Sequence, residues 1–392
     1  MPHIFRGGIA LLSLSVVVVT SACTPPMPPD VLAARAEAQV KCQQGDISVA
    51  VPDAFTGSMS AVGMALGAVC PDQTVTEVSV GEPASVRLID HAPAGPEINS
   101  FAQEQCAGSP AVVIPAFAYQ VSLAYNIIGV EGLTLTPQAV ARILNGTITS
   151  FEDPLIAQAN SGFDLTGLPP ITVLGLENGQ GSVAAMTGWL TQQVPQEWTA
   201  GVVDNLPIAT TMPTNLDLIS ELMAAEGNVA VIPVFEAMNN VIPSAALPVV
   251  GTDENGSEVD IVVTSDDVQL TKVGSGATAI TKDESGNLSA APALGGIPSP
   301  GVFDLAASKI VLGEGQPLAG WPVMGYAHLM VCDSASDPLP LSFAQYLVRL
   351  AGQGALESFG VTPLPEPVRV QTFLPLKVTL ATDAPVASPS GS

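Results

Sequence analysis

Apolar positions along this chain recur with two alternating periods. Residues 47–51 read as a short strand. Residues 58–69 read as a helix of small and apolar residues ending before Cys70-Pro71, and 75–80 as an alternating strand. Runs at 111–114 and 121–127 are two further strands. Thr136-Pro137 open a helix that Asn145-Gly146 close. Residues 171–174 are a strand, and the turn Gly179-Gln180-Gly181-Ser182 then opens an apolar helix through Leu190. A helix at 216–225, a buried strand at 229–233, a strand at 320–331 and a helix at 341–359 follow. Residues 253–274 are polar and read as loops. Strands alternating with helices imply α/β layers with largely parallel sheets. No internal repeat is visible in the sequence.

The ends change the picture. Arg6 precedes an apolar run at 9–19 that is too short to span a bilayer and ends in Thr20-Ser21-Ala22-Cys23. This resembles a bacterial lipobox, in which residues 1–22 are a signal peptide and Cys23 is the lipidated first residue. Residues 23–45 then form an anchor and tether, with Pro25, Pro26, Pro28 and Pro29 favouring extended chain. Residues 377–392, rich in Ala, Pro and Ser, read as a disordered tail. The 392 residues between and including these ends allow two domains or lobes.

The formal charge of -25 excludes nucleic acid as a partner, because neutralising phosphates takes clustered Lys and Arg. Beyond Cys23 stand Cys42, Cys70, Cys106 and Cys332. An even number in an exported chain suggests two disulfides, with three pairings open. No CxxC or Cys/His spacing suggests zinc, and no cofactor is implied. Past the signal, His91 and His328 are the histidines, and neither lies near a G-x-S-x-G turn. His328 falls in an apolar strand and reads as a core residue. The chain therefore reads as a binding protein and not an enzyme.

Five ordered segments resemble one family. They are Ala124-Tyr125-Asn126 with Gly132-Leu133-Thr134-Leu135-Thr136 and Leu144-Asn145-Gly146-Thr147-Ile148-Thr149-Ser150-Phe151-Glu152-Asp153-Pro154-Leu155-Ile156, then Leu168-Pro169-Pro170, Gly227-Asn228-Val229-Ala230-Val231, Trp321-Pro322-Val323 and Phe359-Gly360-Val361-Thr362-Pro363-Leu364-Pro365. They are similar to the phosphate-binding proteins of bacterial phosphate ABC importers. The resemblance implies a type II periplasmic-binding fold: residues 46–123 with 321–376 as lobe one, 124–320 as lobe two, and crossings near 124–126 and 321. It also implies the pairs Cys42–Cys70 and Cys106–Cys332. It implies a monomer, held by its lipid at the outer face of the cytoplasmic membrane, that passes a small anionic or polar solute to ABC permease subunits.

The same resemblance nominates ligand residues. An anion site without metal needs converging N–H and O–H donors, and a glycine turn at a helix N-terminus supplies them. The family's lobe-two turn aligns with Asn178, Gly179, Gln180, Gly181 and Ser182, but the family's arginine is replaced by Leu176. In lobe one a donor serine aligns with Glu82, followed by Pro83, while Thr56 remains a donor. The family's proton-accepting aspartate aligns near Asn99-Ser100, which nominates Ser100. These departures keep a second expectation open: a surface lipoprotein that retains the fold but binds a macromolecule or acts structurally.

Overall fold

The computed structural model describes residues 40–252, 258–264, 278–292 and 321–378. The stretch read as a signal peptide, Cys23, most of the stretch read as a tether and the residues beyond 378 lie outside the described residues. So does most of the polar stretch at 253–274.

Eight strands make one sheet: β1 (Gly45–Val51), β2 (Gln73–Ser79), β3 (Val86–Ile89), β4 (Ala111–Tyr125), β5 (Thr172–Leu176), β6 (Thr210–Met212), β7 (Asn228–Pro233) and β12 (Met324–Cys332). Their order is β2-β1-β3-β12-β4-β7-β5-β6. Hairpins β8 (Leu247–Thr252) with β9 (Glu258–Val263) and β10 (Thr278–Lys282) with β11 (Leu288–Pro292) complete the strands.

The sheet contains the same arrangement twice. In the first half β1 pairs parallel with β2 and β3, and β12 runs antiparallel beside β3. In the second half β5 pairs parallel with β6 and β7, and β4 runs antiparallel beside β7. The repeat is one of topology; the sequence does not carry it.

Strand β4 joins the halves. Residues Ala111 to Gln120 pair with β12, and Val121 to Tyr125 pair with β7. The change of partner falls at Val121, ahead of residues 124–126. The two strands expected at 111–114 and 121–127 are therefore one. Pro115 lies between them and offers no N–H, but the register of β12 shifts beside it, between Ala327 and His328, so the ladder accommodates it.

The expected helix at 341–359 is two helices, Leu339–Leu347 and Leu350–Phe359, separated by Arg349 in extended conformation. The second returns the chain to β4: Gln353 Nε2 donates to the Ala116 carbonyl at 3.0 Å, and Thr362 and Ala118 exchange backbone bonds at 2.8 and 2.9 Å. Residues 377–378 also belong to the folded part, since the Lys377 ammonium meets the Asp333 carboxylate at 2.6 Å. His328 is fully buried, its Nε2 accepts from the Ala290 N–H at 2.9 Å, and burial pushes its pKa down to about 4. It is a neutral core residue.

Disulfides join Cys42 to Cys70 and Cys106 to Cys332. At the centre of the molecule, the Phe55 ring meets Phe117 at 5.5 Å, Tyr119 at 5.1 Å and Phe235 at 5.5 Å. Phe235 follows β7, so this aromatic cluster packs the two halves together beneath the cleft.

Candidate functional site

A parallel strand delivers its carboxyl end to one edge of a sheet, and ligands of open α/β sheets bind there. Here the carboxyl ends of six parallel strands converge on one cleft of about 520 Å³. Pro52 and Asp53 follow β1, Ser79 and Val80 end β2, and Asp90 and His91 follow β3. On the other side stand Asn178 and Gly179 after β5, Thr214 and Asn215 after β6, and Pro233 at the end of β7.

Asp90 is the most constrained of these residues. Its carbonyl oxygen accepts from the Tyr119 hydroxyl at 2.6 Å. Its Oδ1 accepts from His91 Nδ1–H at 2.9 Å. Its Oδ2 accepts from the Gly181 N–H at 2.7 Å. Gly181 opens the helix Gly181–Gln193, so Asp90 of the first half sits at a helix N-terminus of the second, where the dipole favours a carboxylate. Glycine is required by contact: a Cβ on Gly181 would lie 2.6 Å from the Asp90 Cγ. Gly325 makes comparable room for Tyr119, since a Cβ there would lie 2.5 Å from the phenol oxygen.

His91 also bonds Glu97 through Nε2, at 3.2 Å. Hydrogen bonds to the two carboxylates, Asp90 first, raise its pKa to about 10, so the ring is an imidazolium at neutral pH with both N–H groups in use. The same pair holds Glu97 below the usual carboxylate range.

A second helix N-terminus, in the first half, is also occupied from within. Gly57, in a left-handed conformation at φ 97°, precedes the helix Ser58–Gly67, and Glu77 of β2 accepts from the Gly57 and Ser60 N–H groups at 2.7 and 2.8 Å.

Beside the cleft, Glu236 is buried and its Oε1 accepts from the Asn215 amide. Burial, reinforced by the charge of Asp53, pushes its pKa up to about 7. The folded state therefore holds this proton more tightly than the unfolded chain. Stability should fall as pH rises from about 4.5 through about 7, by about 3 kcal/mol in all. Urea titrations across that window should show a slope that Glu236→Gln removes; equal slopes in the two proteins would contradict the assignment.

The residues nominated from sequence divide. Asn178, Gly179, Gln180 and Ser182 line the cleft, and Gly181 meets it through Asp90. The Ser182 hydroxyl donates to the Val231 carbonyl at 3.1 Å, so its hydrogen is already committed. Gln180 is buried, and its Oε1 has no partner among the described residues. Thr56, Glu82 and Ser100 do not line the cleft. Thr56 caps the short 3-10 turn Asp53–Phe55 and is exposed; Glu82 sits exposed in the turn after β2. Ser100 lies on the outer face of the helix Gly95–Glu104 and donates to Glu104 at 2.7 Å. The aspartates that line the cleft on this side are Asp53 and Asp90, both upstream of the stretch that alignment by length selects. The reason is that residues 81–110 hold a short strand and a helix that the hydrophobic pattern did not separate.

Comparison with known proteins places this geometry. No protein-family model matches the chain. The Phosphate-binding protein PstS2 of Mycobacterium bovis BCG is 26% identical over 270 residues, 68% of this chain and 65% of that protein. A putative phosphate ABC transporter substrate-binding protein from Clostridium perfringens, solved with bound phosphate, matches with a TM-score of 0.50 at 12% identity, covering 82% of this chain and all of that one. A phosphate binding protein from Stenotrophomonas maltophilia gives 0.50 at 16% identity, covering 84% and 92%. The likeness to phosphate-binding proteins extends to sequence and fold alike. The fold is that of the type II periplasmic binding proteins, as the sequence segments implied. The curated match spans just under two thirds of its relative's length, so the strands and turns carry over and the ligand does not carry over automatically.

Sequence reasoning missed Asp53, Arg87, Asp90, His91 and Asn215. A polar pair directly after a short apolar run, Leu88-Ile89-Asp90-His91, is the signal that could have found two of them.

Proposed function

We propose that this chain is an extracytoplasmic solute receptor of an ABC importer, taking phosphate or a closely related oxyanion. The cleft at the carboxyl ends of both parallel strand sets carries the reading, because it sits in a chain similar to phosphate-binding proteins. The change of partner along β4 supports two lobes: residues before Val121 with the C-terminal part, and those from Val121 onward. Closure of such lobes on a solute is the hinge motion binding proteins use. Anchoring through Cys23, a monomeric state and docking to permease subunits complete the proposal. Among the described residues no helix is long and apolar enough to cross a membrane.

The chemistry favours a ligand that still carries a proton. A solute that takes the Gly181 N–H displaces the Asp90 carboxylate from it. A protonated oxyanion gives Asp90 a hydrogen bond in exchange, and sulfate has no proton to give. One hydrogen bond to a charged group is worth about 1.5–3 kcal/mol, so phosphate should bind about tenfold to a hundredfold more tightly than sulfate.

Calorimetry on the unlipidated chain from residue 24 tests this. Heat with phosphate and little with sulfate is expected, and Asp90→Asn should erase the discrimination. No heat with either anion would end the phosphate reading and leave the macromolecular alternative.

A further inference from the structure

The family places an arginine in the second half, and this chain has Leu176 there. A guanidinium in the cleft would add a charge-assisted, two-pronged contact to what backbone donors give an anion. We propose that Arg87, on β3 of the first half, is the guanidinium that holds the oxyanion. The inference rests on the phosphate reading above and names the group that makes it possible.

Among the described residues, Arg87 is the one Lys or Arg that lines the cleft, and Leu176 lines the same cleft. His91 is the other cation, but its two N–H groups are spent on Asp90 and Glu97. Arg87 is different. Its Nε is buried and has no hydrogen-bond partner among the described residues. Its charge is felt by Glu97, yet Glu97 makes its close contact with His91 instead. A buried donor on a charged group that goes unpaired is costly and calls for an explanation, and an oxyanion bound in the cleft supplies one.

The side chain is also held in place. Its Cζ stands 5.3 Å from the centroid of the Phe101 ring, a cation–π contact, and Phe101 is fully buried. Its backbone is fixed from both sides, opposite Ala50 of β1 and Met330 of β12. A guanidinium so positioned presents a planar fork that matches two oxygens of a tetrahedral anion. The arginine has in effect moved from one lobe to the other, and the lobe-two contribution is reduced to the turn at Asn178 to Ser182.

The test uses calorimetry with inorganic phosphate on the chain from residue 24, comparing wild type, Arg87→Met and Arg87→Lys. Arg87→Met should weaken phosphate tenfold or more, and Arg87→Lys should fall between, since it keeps the charge and loses the fork. Wild type that gives no heat overturns the phosphate reading and this inference together. Wild type that binds while Arg87→Met binds equally well overturns Arg87 alone. Should circular dichroism show the methionine variant unfolded, wild-type protein is treated with an arginine-directed dicarbonyl and mapped by mass spectrometry. Phosphate should then slow modification at Arg87, and modification at an unchanged rate under saturating phosphate overturns the assignment.

Discussion

Gly181→Ala is expected to separate the two halves of the cleft. The added Cβ would fall within contact distance of the Asp90 backbone and 2.6 Å from its Cγ, and a backbone held by Tyr119 cannot step aside as a side-chain end would. The contact must open, and with it goes the Gly181 N–H bond to Asp90 at 2.7 Å. A bond of that kind is worth about 1.5–3 kcal/mol. Alanine returns about 1 kcal/mol through its better helix propensity, so the net loss is about 0.5–2 kcal/mol. Small-angle scattering should report a larger radius of gyration, and thermal melting a lower midpoint. Phosphate should bind more weakly as well, since the backbone can no longer approach closely at that N–H. Gly354, in the helix Leu350–Phe359, is the control: a Cβ there meets nothing within 4 Å, and Gly354→Ala should stabilise slightly. If Gly181→Ala keeps the dimensions and midpoint of wild type, Asp90 and Gly181 do not clamp the halves.

What the sequence reveals and hides about this cleft has a physical pattern. The lobe-two turn was legible because its function is a backbone function. Two glycines before an apolar helix advertise a close approach, and the structure places Gly179 and Gly181 against Asp204 and Asp90. The lobe-one side was not legible, because its chemistry depends on side chains brought together across the sheet. Arg87, Asp90, His91 and Glu97 span eleven residues of sequence that hold most of a four-residue strand, a turn and the start of a helix. No periodicity spans so short a strand, and an arginine within it weakens the apolar signal further. The helix N-terminus at Ser58 depends on tertiary contact in the same way: in the fold Glu77 arrives from the next strand and takes its donors. The topological repeat was hidden too. Parallel-strand layouts tolerate any apolar residues that fill the core, so two halves can share an order of strands without sharing a sequence.

Removing the Cys106–Cys332 disulfide should cost more than any single substitution at the cleft. The bridge closes a loop of 226 residues, and the chain-entropy relation assigns such a loop about 5 kcal/mol; the Cys42–Cys70 bridge, separated by 28, is worth about 3.5 kcal/mol on the same relation. The long loop has a structural reason. Strand β12 is inserted between β3 and β4 although it follows them by about two hundred residues, so its pairing carries a closure cost that no local element offsets. The bridge lowers that cost in advance. Both sulfurs are buried among Ile89, Phe101, Val113 and Met330, the cluster that supports the end of β3 and therefore Asp90. Cys106→Ala with Cys332→Ala, chosen so that no hydroxyl is buried, should lower unfolding stability by about 5 kcal/mol, a large part of the 5–15 kcal/mol typical of a folded protein. The corresponding change at Cys42 and Cys70 should cost less. Urea titrations of both double variants, with and without reductant on wild type, give the ordering. A Cys106/Cys332 variant that unfolds within about 1 kcal/mol of wild type, or one less affected than its Cys42/Cys70 counterpart, would mean that the apolar cluster seats β12 without the bridge.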